Sequence, residues 1–232
     1  MKTAMITGAG RGIGLALTTH YLEASYAVIA GVRDVDKIPD LAPLHANQDL
    51  EIVQLDIAAE ADIDSLRTRV AGRPIDILIN NAGVGGPSSG DAALDADGWL
   101  KTFDVNCIGA TRVALAVRES LQTARGKVAA ISSSLGSIAL AEATGGLNGG
   151  ALAYRSSKAA LNMSMRLLAL ALKPDGISVA LICPGWVRTS LGGPDAPLPP
   201  EQSAAAIASV IEGLEIEVTG SFLSHEGTAI PW

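Results

Sequence analysis

Hydrophobic residues in this chain fall into short runs separated by polar or small-residue stretches. Seven runs read as strands: Ala4-Met5-Ile6, Tyr26 to Gly31, Leu50 to Leu55, Pro74 to Ile79, Gly126 to Ile131, Ile177 to Ile182 and Ser221 to Leu223. Leu50 to Leu55 alternates weakly, and Pro74 to Ile79 reads as a buried strand. Between them lie predicted helices over Leu15–Ala24, about 58–70, about 97–125, 154–173 and 201–214, with Pro174 and Gly176 stopping the fourth. The polar, proline-interrupted segment 34–47 holds at most a short helix. Segments 84–98 and 139–152 read as loops, and 191–200, rich in Gly and Pro, as a lid-type loop. No repeat, linker or second domain interrupts this order, so residues 1–232 form one domain.

Composition narrows the picture. With 232 residues, 48% of them hydrophobic, the chain can bury one sizeable core. Aromatic residues make up only 3%, and the abundant small and aliphatic residues suit packed parallel strands. The net charge of -7 argues against a nucleic-acid or anionic-membrane surface. Cys107 and Cys183 lie far apart among apolar residues, as buried free thiols of a reducing compartment do, and show no metal-type spacing. No signal peptide is legible, and no apolar run reaches the ~18 residues of a membrane span. A cytoplasmic location is expected.

Candidate chemistry sits where strands end. The first strand runs into Thr7-Gly8-Ala9-Gly10-Arg11-Gly12-Ile13-Gly14 and then a helix. Glycines let the backbone approach a pyrophosphate, and the helix N–H groups favour its charge; the bland alternative is a tight turn. The second strand ends in Val32-Arg33-Asp34. Val32 offers no side-chain hydrogen bond to a ribose, whereas Arg33, with Arg11, suits a 2′-phosphate. Either arginine can equally be a solvated charge, and Asp34 either neutralises Arg33 or serves NAD. Asp56, at the third strand's end, faces an adenine amino group or caps the next helix. Asn80-Asn81-Ala82-Gly83 lets a cofactor lie close to the fourth strand, or is only an Asn-Gly turn. Asn106 is a satisfied structural amide or holds an ordered water. Ser132-Ser133-Ser134 ends the central fifth strand, where ligands bind in open α/β sheets. Tyr154 and Lys158, four apart on a helix, share one face. A nearby ammonium favours the phenolate and lowers the phenol pKa from ~10, which makes an acid–base device for carbonyl and alcohol interconversion. No role is assigned to His20, His45 or His225.

Thr7-Gly8-x-x-x-Gly12-Ile13-Gly14, Asn80-Asn81-Ala82-Gly83, Asn106, Ile131-Ser132-Ser133-x-x-Gly136, Tyr154-x-x-x-Lys158 and Pro184-Gly185 stand in the order found in short-chain dehydrogenases/reductases. The resemblance covers the whole chain. The motifs Tyr154-Arg155-Ser156-Ser157-Lys158 and Pro184-Gly185-Trp186-Val187-Arg188-Thr189, with Gly192-Gly193 and the Gly227-Thr228…Trp232 ending, most resemble sniffer-type carbonyl reductases and bacterial C-factor proteins. It implies a Rossmann-type, doubly wound, seven-stranded parallel sheet with helices on both faces. It further implies a catalytic tetrad of Asn106, Ser133, Tyr154 and Lys158, with Ser133 preferred over Ser132 and Ser134 because it fits the Ser-Ser-x-x-Gly frame. NADP(H) would lie against Gly8, Arg11, Gly12, Ile13 and Gly14 of the turn and Arg33, Asp56 and Ile57 beyond the next strands. Asn81, Ala82 and Gly83, then Tyr154 and Lys158, then Pro184, Gly185, Val187 and Thr189 complete that surface. The implied reaction is NADPH-dependent reduction of an aldehyde or ketone, Tyr154 giving the proton, Ser133 binding the carbonyl oxygen and Asn106 positioning a water. The implied partners are a small-molecule carbonyl substrate and a second copy of the chain, dimer first and tetramer next. The dimer would form through the helices that carry Asn106 and Tyr154, with Ala110, Ala114, Ala159 and Ala169 among their small residues.

Two rivals remain open at this point. One is a C-factor-like signalling or nucleotide-sensing protein that binds NAD(P) with little turnover; an intact Ser133 and Tyr154 argue against it. The other is an epimerase or dehydratase on nucleotide sugars, for which the chain beyond Thr189 leaves little room.

Overall fold

In a computed structural model, which describes residues 1–87, 94–146 and 151–232, seven strands form one parallel sheet. They are β1 (Thr3–Thr7), β2 (Ala27–Val32), β3 (Leu50–Gln54), β4 (Ile77–Asn80), β5 (Lys127–Ile131), β6 (Ser178–Cys183) and β7 (Ser221–Ser224). Their spatial order is β3-β2-β1-β4-β5-β6-β7, and every neighbouring pair is parallel. The order reverses between β1 and β4, which opens a crevice at the carboxyl ends of those strands. The expected Rossmann-type architecture is therefore present.

The continuous apolar runs have a direct cause. Successive side chains on a strand point to opposite faces, and here both faces are covered. Leu78, Val128, Val179 and Leu181 enter one core layer, while Ile77, Ile79, Ala129, Ala180 and Ile182 enter the other. The first layer packs beneath α2 (Glu60–Val70), α4 (Ala110–Ala116), α5 (Arg118–Ala124) and α6 (Leu152–Leu172). The second packs beneath α1 (Gly12–Glu23) and α7 (Pro200–Glu212). Within 34–47 only a short 3-10 turn forms, Ala42–Leu44.

The predicted helix 97–125 is not continuous. It comprises α3 (Ala96–Phe103), a π turn over Asp104–Gly109, then α4 and α5, with Val117 between the last two outside helical geometry at φ -104°, ψ 13°. A π turn takes up an extra residue and rotates the side chains within it. Asn106 lies within this turn and is buried. Gly109 closes the turn where a Cβ would stand 2.8 Å from Ile57 Cγ1, so the wide turn seats against the end of the third strand's extension. Apolar periodicity continues through such a turn, which hides it from a pattern-based reading. The predicted loops 84–98 and 139–152 lie partly outside the described residues.

The chain beyond β6 is folded rather than loose. Val187 bridges Leu198, Arg188 Nε donates to the Ala196 carbonyl at 3.0 Å, and the Trp186 indole donates to the Gly192 carbonyl at 2.7 Å. After β7 the chain turns back antiparallel, with Leu223 bridging Ala229.

Candidate active site

The site is built where β1, β4, β5 and β6 end. Asn81 stitches the first two together. Its side-chain amide donates to the carbonyls of Thr7 (2.9 Å) and Gly8 (3.2 Å), while the Thr7 hydroxyl accepts the N–H groups of Asn81 and Ala82. These bonds spend the Asn81 amide on holding the glycine turn in place. Asn80, one residue earlier, donates to the Ala110 carbonyl at 2.9 Å. The turn then delivers α1. Its N-cap residue, Arg11, makes no side-chain cap and its first turn carries no acidic residue. The helix N–H groups are left to an outside anion. A Cβ on Gly12 would lie 3.1 Å from Thr189 Cγ2, so the glycine turn and the segment after β6 meet face to face.

Arg11 and Arg33 are both exposed. Asp34 pairs with Lys37 at 2.7 Å, and among the described residues no carboxylate bridges Arg33 or Arg11. Asp34 makes its ion pair with Lys37, while Arg33 acts on it only at longer range. An uncapped helix end beside two unbridged guanidinium groups fits a dinucleotide carrying an extra phosphate. Asp56 does not cap α2, whose N-cap is Ala59 without a side-chain cap. The Asp56 Oδ1 accepts the Ala58 N–H at 3.0 Å and its own N–H donates to Asp62 at 2.7 Å, a turn that leads into α2. Ile57 is buried in the core. Pro184 is tied to α7 by the Ser203 hydroxyl at 2.8 Å, and Val187 is buried.

Asn106 reaches out of its π turn to clamp Val84, accepting that residue's N–H and donating to its carbonyl, both at 2.8 Å. Its second amide proton goes to the Ser157 hydroxyl at 2.9 Å, which in turn donates to the Tyr154 carbonyl at 2.7 Å. Both amide protons and one lone pair of Oδ1 are thus bonded within the chain. Ser157 is a link that inspection of the sequence passed over.

Tyr154, Lys158 and Asn162 lie at i, i+4 and i+8 on one face of α6. Asn162 is a second residue passed over, and its spacing was the available signal. It accepts the Ser132 hydroxyl at 2.6 Å and donates to the Gly136 carbonyl at 3.3 Å. Ser132 is thus committed to structure, which leaves Ser133 as the serine that faces Tyr154. The Ser133 hydroxyl accepts the Leu135 N–H at 3.2 Å and acts on the phenol, lowering its pKa. Gly136 has no Cβ because one would stand 2.8 Å from Lys158 Cβ; the serine turn and α6 touch backbone to backbone.

Lys158 is buried, and its Nζ donates to the Ile131 carbonyl at 2.7 Å. It lies 5.7 Å from the Tyr154 ring centroid. A Cβ on Gly83 would come within 3.6 Å of it, so the end of β4 passes over the ammonium. Desolvation draws the Lys158 pKa down to about 8. Desolvation also pushes the Tyr154 phenol up to about 12, with the Ser133 hydroxyl acting against it and Cys183 adding slightly. The direction is opposite to the expected lowering by Lys158: desolvation sets it, and Ser133 rather than the ammonium acts against it.

A fold this widely shared leaves the family to be settled by comparison. The family model described as short chain dehydrogenase matches residues 2–197. The chain belongs to that family. This short chain dehydrogenase is 43% identical over 166 residues to the C-signal protein of Myxococcus xanthus, covering 71% of this chain and 97% of that one. Among solved structures it resembles the carbonyl reductase Sniffer of D. melanogaster, with a TM-score of 0.91, 29% identity and full coverage of both chains. It also resembles a carbonyl reductase from Pseudomonas aeruginosa PAO1 in complex with NADP, with a TM-score of 0.83, 32% identity and full coverage of both chains.

The buried ammonium carries a measurable penalty in this short chain dehydrogenase. Its fall from 10.5 to about 8 corresponds to about 3 kcal/mol of lost stability. The penalty is fully present below pH 8 and fades as pH rises toward 10.5, where the unfolded chain holds a proton that the folded chain has released. Lys158→Met keeps the apolar stem and removes the charge. It is expected to raise the thermal midpoint of the cofactor-free protein at pH 7 by roughly 4–8 °C, after allowance for the partner lost by Ile131. The gain should shrink above about pH 8. Midpoints at pH 7 and pH 9.5 check this, and a variant less stable than the parent at both contradicts it.

Proposed function

We propose that this protein is an NADPH-dependent reductase of aldehydes or ketones, with Asn106, Ser133, Tyr154 and Lys158 as its working residues. The observation that carries the reading is the convergence of Ser133 and Tyr154 over the buried Lys158 ammonium. This happens in a chain of the short chain dehydrogenase family whose solved relatives include a carbonyl reductase bound to NADP.

The residues that hold the cofactor are the α1 N-terminus for the pyrophosphate and Arg11 and Arg33 for the 2′-phosphate. Gly83, Tyr154 and Lys158 lie at the nicotinamide end, with Thr189 beside the glycine turn. When bound, the reduced nicotinamide supplies a hydride to the carbonyl carbon. The Ser133 hydroxyl donates a hydrogen bond to the carbonyl oxygen, where negative charge grows. Tyr154, kept protonated by its burial, delivers its proton to that oxygen. The Lys158 ammonium then faces the phenolate and stabilises it, and Asn106 keeps α6 and the end of β4 in register. A second reading, a C-signal-like protein that binds nucleotide with little turnover, is supported by the 43% identity to the Myxococcus protein.

Assembly is also proposed as homodimeric through the same two helices, with the half-buried Ala159 but mainly through other side chains. Ala110, Ala114 and Ala169 are buried in the chain's own core and cannot meet a partner. The outer faces of the same helices instead expose Ile108 and Leu115, and Met163, Leu167 and Leu170. The last three, at i, i+4 and i+7, form a continuous apolar stripe along α6. An isologous pairing of this face would cover it.

Three measurements test these readings. Tyr154→Phe is expected to lower carbonyl turnover with NADPH at least ~10²-fold while the variant still binds NADPH by fluorescence titration. Near-native turnover would remove the tyrosine from the mechanism, and absence of turnover in the parent across aldehydes, ketones and quinones would favour the C-signal reading. Arg33→Ala should raise KM for NADPH about 10-fold and leave KM for NADH nearly unchanged, since one charge-assisted contact contributes roughly 1.5–3 kcal/mol; an equal loss with both cofactors contradicts it. Light scattering should find the parent at twice the 23.7 kDa chain mass and Leu167→Glu at the chain mass; a monomeric parent across micromolar concentrations disproves the dimer.

A further inference from the structure

The turn that carries Ser133 is gripped from three sides. From β6, the Cys183 thiol accepts the Ser134 N–H at 3.3 Å. From α6, Asn162 holds Gly136 and Lys158 abuts it. The third grip comes from the far end of the sequence. Ser137, directly after the turn, is 2% exposed. Its hydroxyl proton is shared between main-chain oxygens of Pro231 at 2.6 Å and Trp232 at 3.2 Å. The same hydroxyl accepts the Leu140 N–H at 3.1 Å, and the Ala139 N–H donates to a main-chain oxygen of Trp232 at 2.7 Å.

The tail that supplies these oxygens is itself fixed. Ser224 N–H donates to the Thr228 carbonyl and Ile230 N–H to the Phe222 carbonyl, both at 2.8 Å. The Trp232 indole stacks on Phe222, with ring centroids 5.5 Å apart and planes 27° apart. Phe222 belongs to β7 and is buried in the core. The tail is therefore a short strap, anchored at one end on the sheet and bonded at the other to the segment that leaves the serine turn.

We propose that this strap is a positioning device for carbonyl reduction: Ser137, held by residues 231–232, fixes the turn that aims the Ser133 hydroxyl at Tyr154. The inference rests on the reductase reading above. Neither Ser137 nor Trp232 touches the glycine turn or Arg33 by any bond the structure shows, so the strap acts on the chemical step and leaves cofactor affinity alone. Displacement of a reacting group by about 1 Å costs up to ~10²-fold in rate. A turn that has lost one of three grips falls short of that.

The test uses Ser137→Ala, Trp232→Ala, the double variant and Trp232→Phe, which keeps an aromatic stack on Phe222. The readouts are kcat, KM for NADPH and the thermal midpoint. Ser137→Ala is expected to lower kcat about 10-fold with KM for NADPH within about twofold of the parent. Trp232→Ala should lower kcat in the same sense and Trp232→Phe should restore it. The double variant should be no worse than the poorer single variant, because both changes release the same strap. Parent-like kcat in Ser137→Ala overturns the proposal, as do multiplicative losses in the double variant, a loss carried by KM for NADPH, or no restoration in Trp232→Phe. If Ser137→Ala does not fold, the Trp232 pair decides by the same criteria. Tyr154→Phe separates the two levels. Native turnover there removes the reductase reading itself, whereas an inactive Tyr154→Phe beside a fully active Ser137→Ala removes only the strap.

Discussion

One cation held away from water organises this molecule. The Lys158 ammonium lies under the end of β4, with its proton on the Ile131 carbonyl of β5. An ion in such a place is tolerated only if its surroundings are rigid enough to keep water out and a partner in reach. The serine turn meets that demand by packing Gly136 directly on the lysine backbone. The π turn meets it by sending Asn106 to fasten Val84 and, through Ser157, the carbonyl of Tyr154. The polar framework around the ammonium is what puts a phenol and a hydroxyl into the same small volume.

The two ends of the crevice are electrostatically distinct. Near β1 and β2, cations are exposed and solvated, and the helix end is bare; such a surface gathers phosphate groups and responds to salt. Near β5 and α6, charge is desolvated, and both titratable groups are displaced toward their neutral forms, Lys158 downward and Tyr154 upward. A dinucleotide spanning the crevice would be held by its phosphates at one end and meet low dielectric at the other. The exposed guanidinium groups and the buried ammonium thus occupy different physical environments within one crevice.

Much of this was legible in the residues. The strands announced themselves as apolar runs because both sheet faces are covered, and the strand-end motifs marked the crevice because loops after parallel strands must converge there. The choice of Ser133 over Ser132 rested on a motif frame, and Ser132's bond to Asn162 supplies the physical reason. What was not legible has causes of its own. The π turn at Asp104–Gly109 preserves apolar spacing well enough to pass as a continuous helix. Ala110, Ala114 and Ala169 look like contact residues by size, but small residues serve a chain's own tight core equally well, and burial decides between the two. Ser157 and Asn162 are ordinary polar residues whose importance lies in partners 51 and 30 positions away. The sign of the Tyr154 shift depends on desolvation, a property of the assembled volume that no spacing encodes.

The span of the stitches has a consequence for how the molecule comes into being. Thr7 and Asn81 are joined across 74 positions, and Ser137 and Pro231 across 94. Contacts of that separation close late, because the chain between them must be ordered first. Thr7 can meet Asn81 only after β1 and β4 pair, and Ser137 can meet the tail only after β7 has joined the edge. Synthesis from the amino terminus would supply Thr7 and Asn81 well before Pro231 and Trp232. Partial folding would then join β1 to β4 while the turn after β5 still lacked its bonds to residues 231 and 232.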